Sequence, residues 1–301
     1  MPRPWAKITG VTFTTSRIGD FSLLWGESVR WDDQRGRLYF VDCAAQTLHW
    51  VDGLDGTPPL QSLPMPTMPT GLVLADDGRL VAALDDGLHV VDVDAGSTEM
   101  LSPYPAGLGA RANDANADLH GNLVTGTLNL APGPGSYWWF SAAAGWRHLD
   151  DGIGNANGPV VLDVDGEPTL VVADTQAAAL YAYRYDGASG EVGDRRLFAD
   201  SSTLGGTPDG ACADGDGGVW SCVLGPGKIA RYTAAGVGDV VETGVELPSD
   251  VTFGGTELDR MLFVSIAVSL GEAEVRSPHA GALMAVDGTG FRGRPEPRFR
   301  L

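Results

Sequence analysis

The chain repeats one phrase: an alternating apolar strand, a tight acidic or glycine turn, and a second alternating strand. The clearest copy is Asp32-Asp33-Gln34-Arg35-Gly36-Arg37-Leu38-Tyr39-Phe40-Val41-Asp42, and similar turns recur at Asp77-Gly78, His120-Gly121, Asp165-Gly166 and Asp216-Gly217. The turn glycines at 36, 78, 121, 166 and 217 are 42, 43, 45 and 51 residues apart. A last copy, Glu257-Leu258-Asp259-Arg260-Met261-Leu262-Phe263-Val264, lacks the glycine and brings the count to six. A period of about 40 to 50 residues built from strands is that of a propeller blade.

Further strands follow in most units: Thr47 to Asp52, Gly87 to Asp92, Ala179 to Asp186, Lys228 to Tyr232 and Gly281 to Asp287. All are short, β-branched or aromatic, and bounded by turn residues, and no stretch has a capped helical period. The expectation is an all-β, six-bladed β-propeller forming a single domain over residues 1–301. A solenoid is disfavoured because neither end carries a polar capping repeat.

In a propeller the first strand of each blade lines the axis, so residues in one phase of the repeat form a ring. Eight or nine residues before each turn glycine stand Glu27, Thr70, Asn113, Asn157 and Asp209, and nine before Asp259 stands Asp250. Every member carries a side-chain oxygen, and small residues follow several of them: Ser28, Gly71, Gly158 and Gly210. Three carboxylates around one axis repel each other unless a cation neutralises them. A ring of hard oxygens without His or Cys points to one divalent ion, Ca²⁺, Mg²⁺ or Mn²⁺, with Zn²⁺ or Fe²⁺ less indicated. Asn, Asp and Thr also open strands for local reasons, which is the competing account of each position taken singly.

The formal net charge of −19 argues against a nucleic-acid or anionic-membrane partner. The first residues lack the apolar core of a secretion signal, and the run from Met261 to Leu270 is too short to span a bilayer, so a soluble cytoplasmic protein is expected. Cys43, Cys212 and Cys222 are odd in number and lack metal-type spacing, which favours buried inert thiols. The five histidines are scattered, and Trp25, Tyr137, Trp138, Trp139 and Trp146 are expected to pack between blades.

Taken in order, Trp25-Gly26-Glu27-Ser28-Val29-Arg30-Trp31-Asp32, Arg111-Ala112-Asn113-Asp114-Ala115-Asn116-Ala117-Asp118, Asn157-Gly158, Pro208-Asp209-Gly210 and Ser249-Asp250-Val251-Thr252-Phe253-Gly254-Gly255 resemble the senescence marker protein 30 (regucalcin), gluconolactonase and luciferin-regenerating enzyme family. The resemblance runs from about residue 20 to 287 and implies the same six-bladed propeller. It further implies a single divalent metal at Glu27, Asn157 and Asp209, with Asn113 beside metal and substrate and Arg111 on substrate oxygens. Lactone hydrolysis is the implied reaction, with Asp209 as general base, Asn113 orienting carbonyl or water, and a small lactone or ester as the partner of a monomer or weak homo-oligomer. Asp114 and Asp118 fall out of the ring phase and suit turns or blade tethers.

Two positions depart from the family pattern. Val29 stands where the family usually has Pro. The segment from Gly126 to Trp139 carries no acid where sugar-lactone members commonly offer one to substrate hydroxyls, so a less hydroxylated substrate is one expectation. Hydrolysis of another activated ester, such as an aryl ester or organophosphate, and a binding propeller with a structural ion are the alternatives.

Overall fold

Short strands with two apolar faces and tight Asp-Gly turns bury both faces when small sheets stack around an axis. The computed structural model describes residues 13–108, 111–128, 134–268, 275 and 277–301. Six sheets are arranged as the blades of a six-bladed β-propeller. The inner strands are Gly26–Asp32, Gly71–Ala75, Arg111–Ala117, Ala156–Val164, Thr207–Ala213 and Pro248–Gly254, each followed by antiparallel neighbours. Helix is confined, among the described residues, to the short turns Ala106–Leu108 and Ser202–Leu204, and no helix is long and apolar enough to cross a membrane.

The further strands form where the alternating runs stand, as Thr47–Asp52, Gly87–Asp92, Ala179–Asp186 and Lys228–Thr233, while the last is shorter than expected, Met284–Asp287. That last strand pairs with Thr14–Arg17 from the other end of the chain, Thr14 opposite Asp287 and Arg17 opposite Met284. The sixth blade is thereby built from both ends of the described chain, a closure that ties the ring of blades together.

Each core lies between two blades. Trp31, Phe40 and Val51 of the first blade pack on Leu262, Val264 and Ala285 of the sixth, and Val160, Val171 and Leu180 of the fourth pack on Val219, Val223 and Tyr232 of the fifth. Nonpolar burial at such seams holds the blades at fixed angles to one another. The three cysteines are free and buried in this packing, and burial pushes their thiols well above the ordinary range.

A C-terminal segment fills one end of the axis. Arg298–Phe299 runs parallel to Gly71–Ala75, and Thr252 Oγ1 donates to Glu296 Oε1 at 2.6 Å near the C-terminal end of its inner strand. The cavity that carries the ring residues therefore lies at the other end, where the inner strands begin.

Candidate active site

Five of the six inner strands slip register with their neighbours near their starts: between Glu27 and Arg30, Ala112 and Ala115, Asn157 and Val160, Pro208 and Ala211, and Pro248 and Asp250. A bulge bends its strand and re-aims a side chain, here at the axis. Space behind the bulge is scarce. A Cβ on Gly71 would lie 2.6 Å from the Ala115 Cβ, and one on Gly158, whose φ is +50°, would lie 2.9 Å from that of Ala211. Small residues after the ring positions are thus a packing requirement of the narrow axis.

Glu27, Asn113, Asn157 and Asp209 line one cavity of about 300 Å³, joined by Asn155 and Thr175. Their orientations are fixed by a chain of hydrogen bonds. Asn157 Nδ2 donates to Thr175 Oγ1 at 2.9 Å, and that hydroxyl donates to the Pro208 carbonyl at 2.8 Å. Asn113 Nδ2 donates to Asn157 Oδ1 and, at 3.1 Å, to the Ala156 carbonyl. Tyr137 Oη lies 2.7 Å from the Asn157 carbonyl and 2.8 Å from that of Ala173, clamping the backbone beneath. Trp25 Nε1 donates to Glu27 Oε1 at 2.9 Å, leaving Oε2 outside that bond.

Burial raises the Glu27 carboxyl well above its ordinary range, and the charges of Asp250 and Asp114 add to the shift, while the Arg111 cation opposes it. Asp209 is raised in the same direction by burial first and then by Glu27, Asp114 and Asp250. Two acids that destabilise each other in one cavity create a demand for positive charge. Among the described residues no group of three His, Cys, Asp or Glu side chains is disposed to hold a metal. The donors beside Glu27 and Asp209 are instead amide oxygens, and two carboxylates with amides fit a hard divalent cation.

Two expected ring members do not line the cavity. The Thr70 hydroxyl turns to the Ala112 carbonyl at 2.9 Å. Asp250 lies one layer below the ring, where its Oδ2 accepts from Val29 N at 2.8 Å and from Arg30 Nη1 at 2.6 Å. Its neighbour Ser249 occupies the ring phase and donates to the Gly26 carbonyl at 2.5 Å. The miscount has a structural cause: the sixth turn takes its left-handed residue at Leu258, φ +53°, so nine residues back is 249 and not 250.

Asp114 shares the lower layer, as the tethering expectation required. Its carboxylate accepts from Arg30 Nη2 at 3.3 Å, Ala115 N at 2.8 Å and Gly158 N at 2.9 Å. Arg30 also donates to the carbonyls of Leu72, Val29 and Ala115. One guanidinium thus joins the first, second, third and sixth blades, and Asp114 passes the link to the fourth. Val29 matters here, since a proline at that position would have no N–H to give Asp250.

Arg111 is half-buried, with Nη1 3.2 Å from Met68 Sδ, and its charge reaches Glu27. Of the acid-free segment, Leu128 lines the cavity and residues 129–133 lie outside the described residues. Trp25 packs against the core between the first and second blades as expected, and it also walls the cavity. Asn155 was missed. Both stand two residues before a ring member, just ahead of the strands that begin at Gly26 and Ala156, and line the same cavity. Three of the five histidines bind local partners: His49 to Ser62, His89 to Asp86 and His148 to Asp151.

The sequence matches the family model described as the SMP-30/Gluconolactonase/LRE-like region over residues 25–267. The chain is 30% identical to a pentonolactonase of Haloferax volcanii, over 95% of this chain and 98% of that protein. It is 28% identical to a 6-deoxy-6-sulfogluconolactonase of Pseudomonas putida, over 91% and 94% of the two chains. The crystal structure of a calcium-binding protein, regucalcin, of Agrobacterium tumefaciens superposes with a TM-score of 0.83 at 25% identity, covering 95% of this chain and 97% of that one. On this match and on the propeller that carries it, the chain belongs to the SMP-30/gluconolactonase/LRE-like family.

Proposed function

We propose that this chain is a divalent-metal-dependent lactonase, a carboxylic ester hydrolase that adds water across a small cyclic ester. Family and fold support a lactonase-type hydrolase, and the observation that carries the finer reading is the convergence of Glu27, Asn113, Asn157 and Asp209 on one cavity. Two similar proteins are named lactonases, the pentonolactonase of Haloferax volcanii and the 6-deoxy-6-sulfogluconolactonase of Pseudomonas putida.

Glu27, Asn157 and Asp209 would hold the ion, which when bound supplies Lewis acidity to the ester carbonyl and to water. Asp209, which lines the same cavity, takes the proton of the attacking water. Asn113 is held by Asn157 and Ala156 and orients the carbonyl or the water. Arg111, whose charge reaches Glu27 although its side chain is not part of the described cavity lining, anchors a substrate oxygen and offsets the negative charge that develops on the acyl oxygen. The acyl C–O bond of the ring breaks, its oxygen takes a proton, and the product is an open hydroxy acid. Calcium is a candidate ion through the regucalcin similarity, with Zn²⁺, Mn²⁺, Mg²⁺ and Fe²⁺ as the others to test.

The assay is proton release from lactones by Asp209→Ala beside the parent protein, with bound metal measured in both. Retained metal with turnover reduced about a hundredfold or more supports the base role. Unchanged turnover removes Asp209 from it.

A further inference from the structure

The cavity is two-sided. Its polar side comes from the third and fourth blades, where Asn113, Asn155, Asn157 and Thr175 bond to one another or to the backbone. The remaining wall is formed by Trp25, Leu128, Leu224, Leu247 and Ile266, with Leu224, Leu247 and Ile266 at the edges of the fifth and sixth blades. Ile266 and Leu128 are only 7% and 8% exposed, while Trp25, Leu224 and Leu247 are partly buried. The one polar atom of the Trp25 ring, Nε1, is spent on Glu27. Glu27 and Asp209 come from the first and fifth blades, and apart from these two acids the described lining on the first, fifth and sixth blades offers no free side-chain donor or acceptor.

From this division we infer that the site takes lactones bearing an apolar substituent, an alkyl or aryl group on the ring, in preference to polyhydroxylated lactones of the same ring size. The inference rests on the lactonase reading and adds the substrate class. A lactone whose carbonyl lies among Glu27, Asn113 and Asp209 has its remaining ring atoms within the same cavity that Leu224, Leu247 and Ile266 line. A hydroxyl against those three side chains gives up its water and gains no partner, which costs on the order of tenfold or more in binding. Methylene groups in the same place gain by leaving water. A cavity of about 300 Å³ has room for a five- or six-membered ring and a short chain.

The test compares kcat/KM for γ-lactones carrying alkyl chains of increasing length with that for pentono-1,4-lactones, using metal-loaded protein and proton release. Alkyl lactones favoured about tenfold or more, with Leu247→Ala and Leu224→Ala lowering kcat/KM for the alkyl series more than for the hydroxylated one, support the inference. Equal or better turnover of the hydroxylated lactones overturns it and leaves the lactonase reading standing. Should no lactone be turned over, the lactonase reading fails. Calorimetric binding of 5-alkyl-2-pyrrolidinones against a polyhydroxylated γ-lactam then decides the wall separately: tighter alkyl binding supports it, and equal or weaker alkyl binding overturns it.

Discussion

Arg30 Nη1 and Asp250 Oδ2 meet at 2.6 Å in the axis of the propeller, with side chains 2% and 0% exposed. Asp250 and Asp114 keep the guanidinium charged against the opposing cost of burial, and every N–H of the group has an acceptor. This layer stands directly beneath the site: Asp250 holds the amide two residues after Glu27, and Asp114 holds the amide next to Asn157.

Removing the cation from this layer leaves two buried acids unpaired. Arg30→Met is expected to lower stability by about 3–5 kcal/mol, read as a fall in the urea midpoint. A change below about 1 kcal/mol would mean that the layer tolerates the loss and does not hold the ring.

The Trp25 to Glu27 bond predicts a subtler effect. Trp25→Phe keeps a ring against the cavity and deletes the donor, so metal affinity should fall about 10-fold or more while the fold is retained. Calorimetric titration of the chelator-treated variant with each divalent ion measures this, and parent-like affinity would show that the bond does not orient the carboxylate.

The raised acids give a pH dependence with a definite sign. Glu27, Asp209, Asp114 and Asp250 all lie above their ordinary range through burial, Asp250 pushed up to about 7. The folded metal-free protein therefore holds more protons than the unfolded chain, so its stability falls as pH rises from about 4 through the raised values. A cation at Glu27 and Asp209 requires both acids ionised, so its binding releases protons and weakens as pH falls through the same window. Urea midpoints from pH 4 to 8 should decline with pH in chelator and decline less, or rise, with saturating metal. Coincident profiles would argue against a cation at these acids.

The fold was legible because its punctuation is local. Asp-Gly turns demand a left-handed residue, and Gly36, Gly78, Gly121, Gly166 and Gly217 supply it with positive φ. Four ring positions followed by counting: Glu27, Asn113, Asn157 and Asp209 reach one cavity. The sixth count slipped because Leu258 takes the left-handed place without being glycine, which composition does not reveal. Thr70 stood in phase, yet its short side chain satisfies itself on the Ala112 carbonyl. The Arg30 layer and the closure by Thr14–Arg17 depend on contacts across more than two hundred residues, beyond the reach of any local pattern.

The central claim is that lactone opening here depends on a divalent ion held by Glu27, Asn157 and Asp209. Protein stripped by a chelator and reloaded with Ca²⁺, Mg²⁺, Mn²⁺, Zn²⁺ or Fe²⁺ one at a time, assayed by proton release on aldonolactones, aliphatic lactones and aryl esters, tests it most directly. The account predicts loss of lactone turnover on stripping, recovery with at least one ion, and no recovery in Glu27→Gln at the same metal concentration. Full turnover by the stripped protein, or no metal-dependent turnover of any lactone, would contradict it.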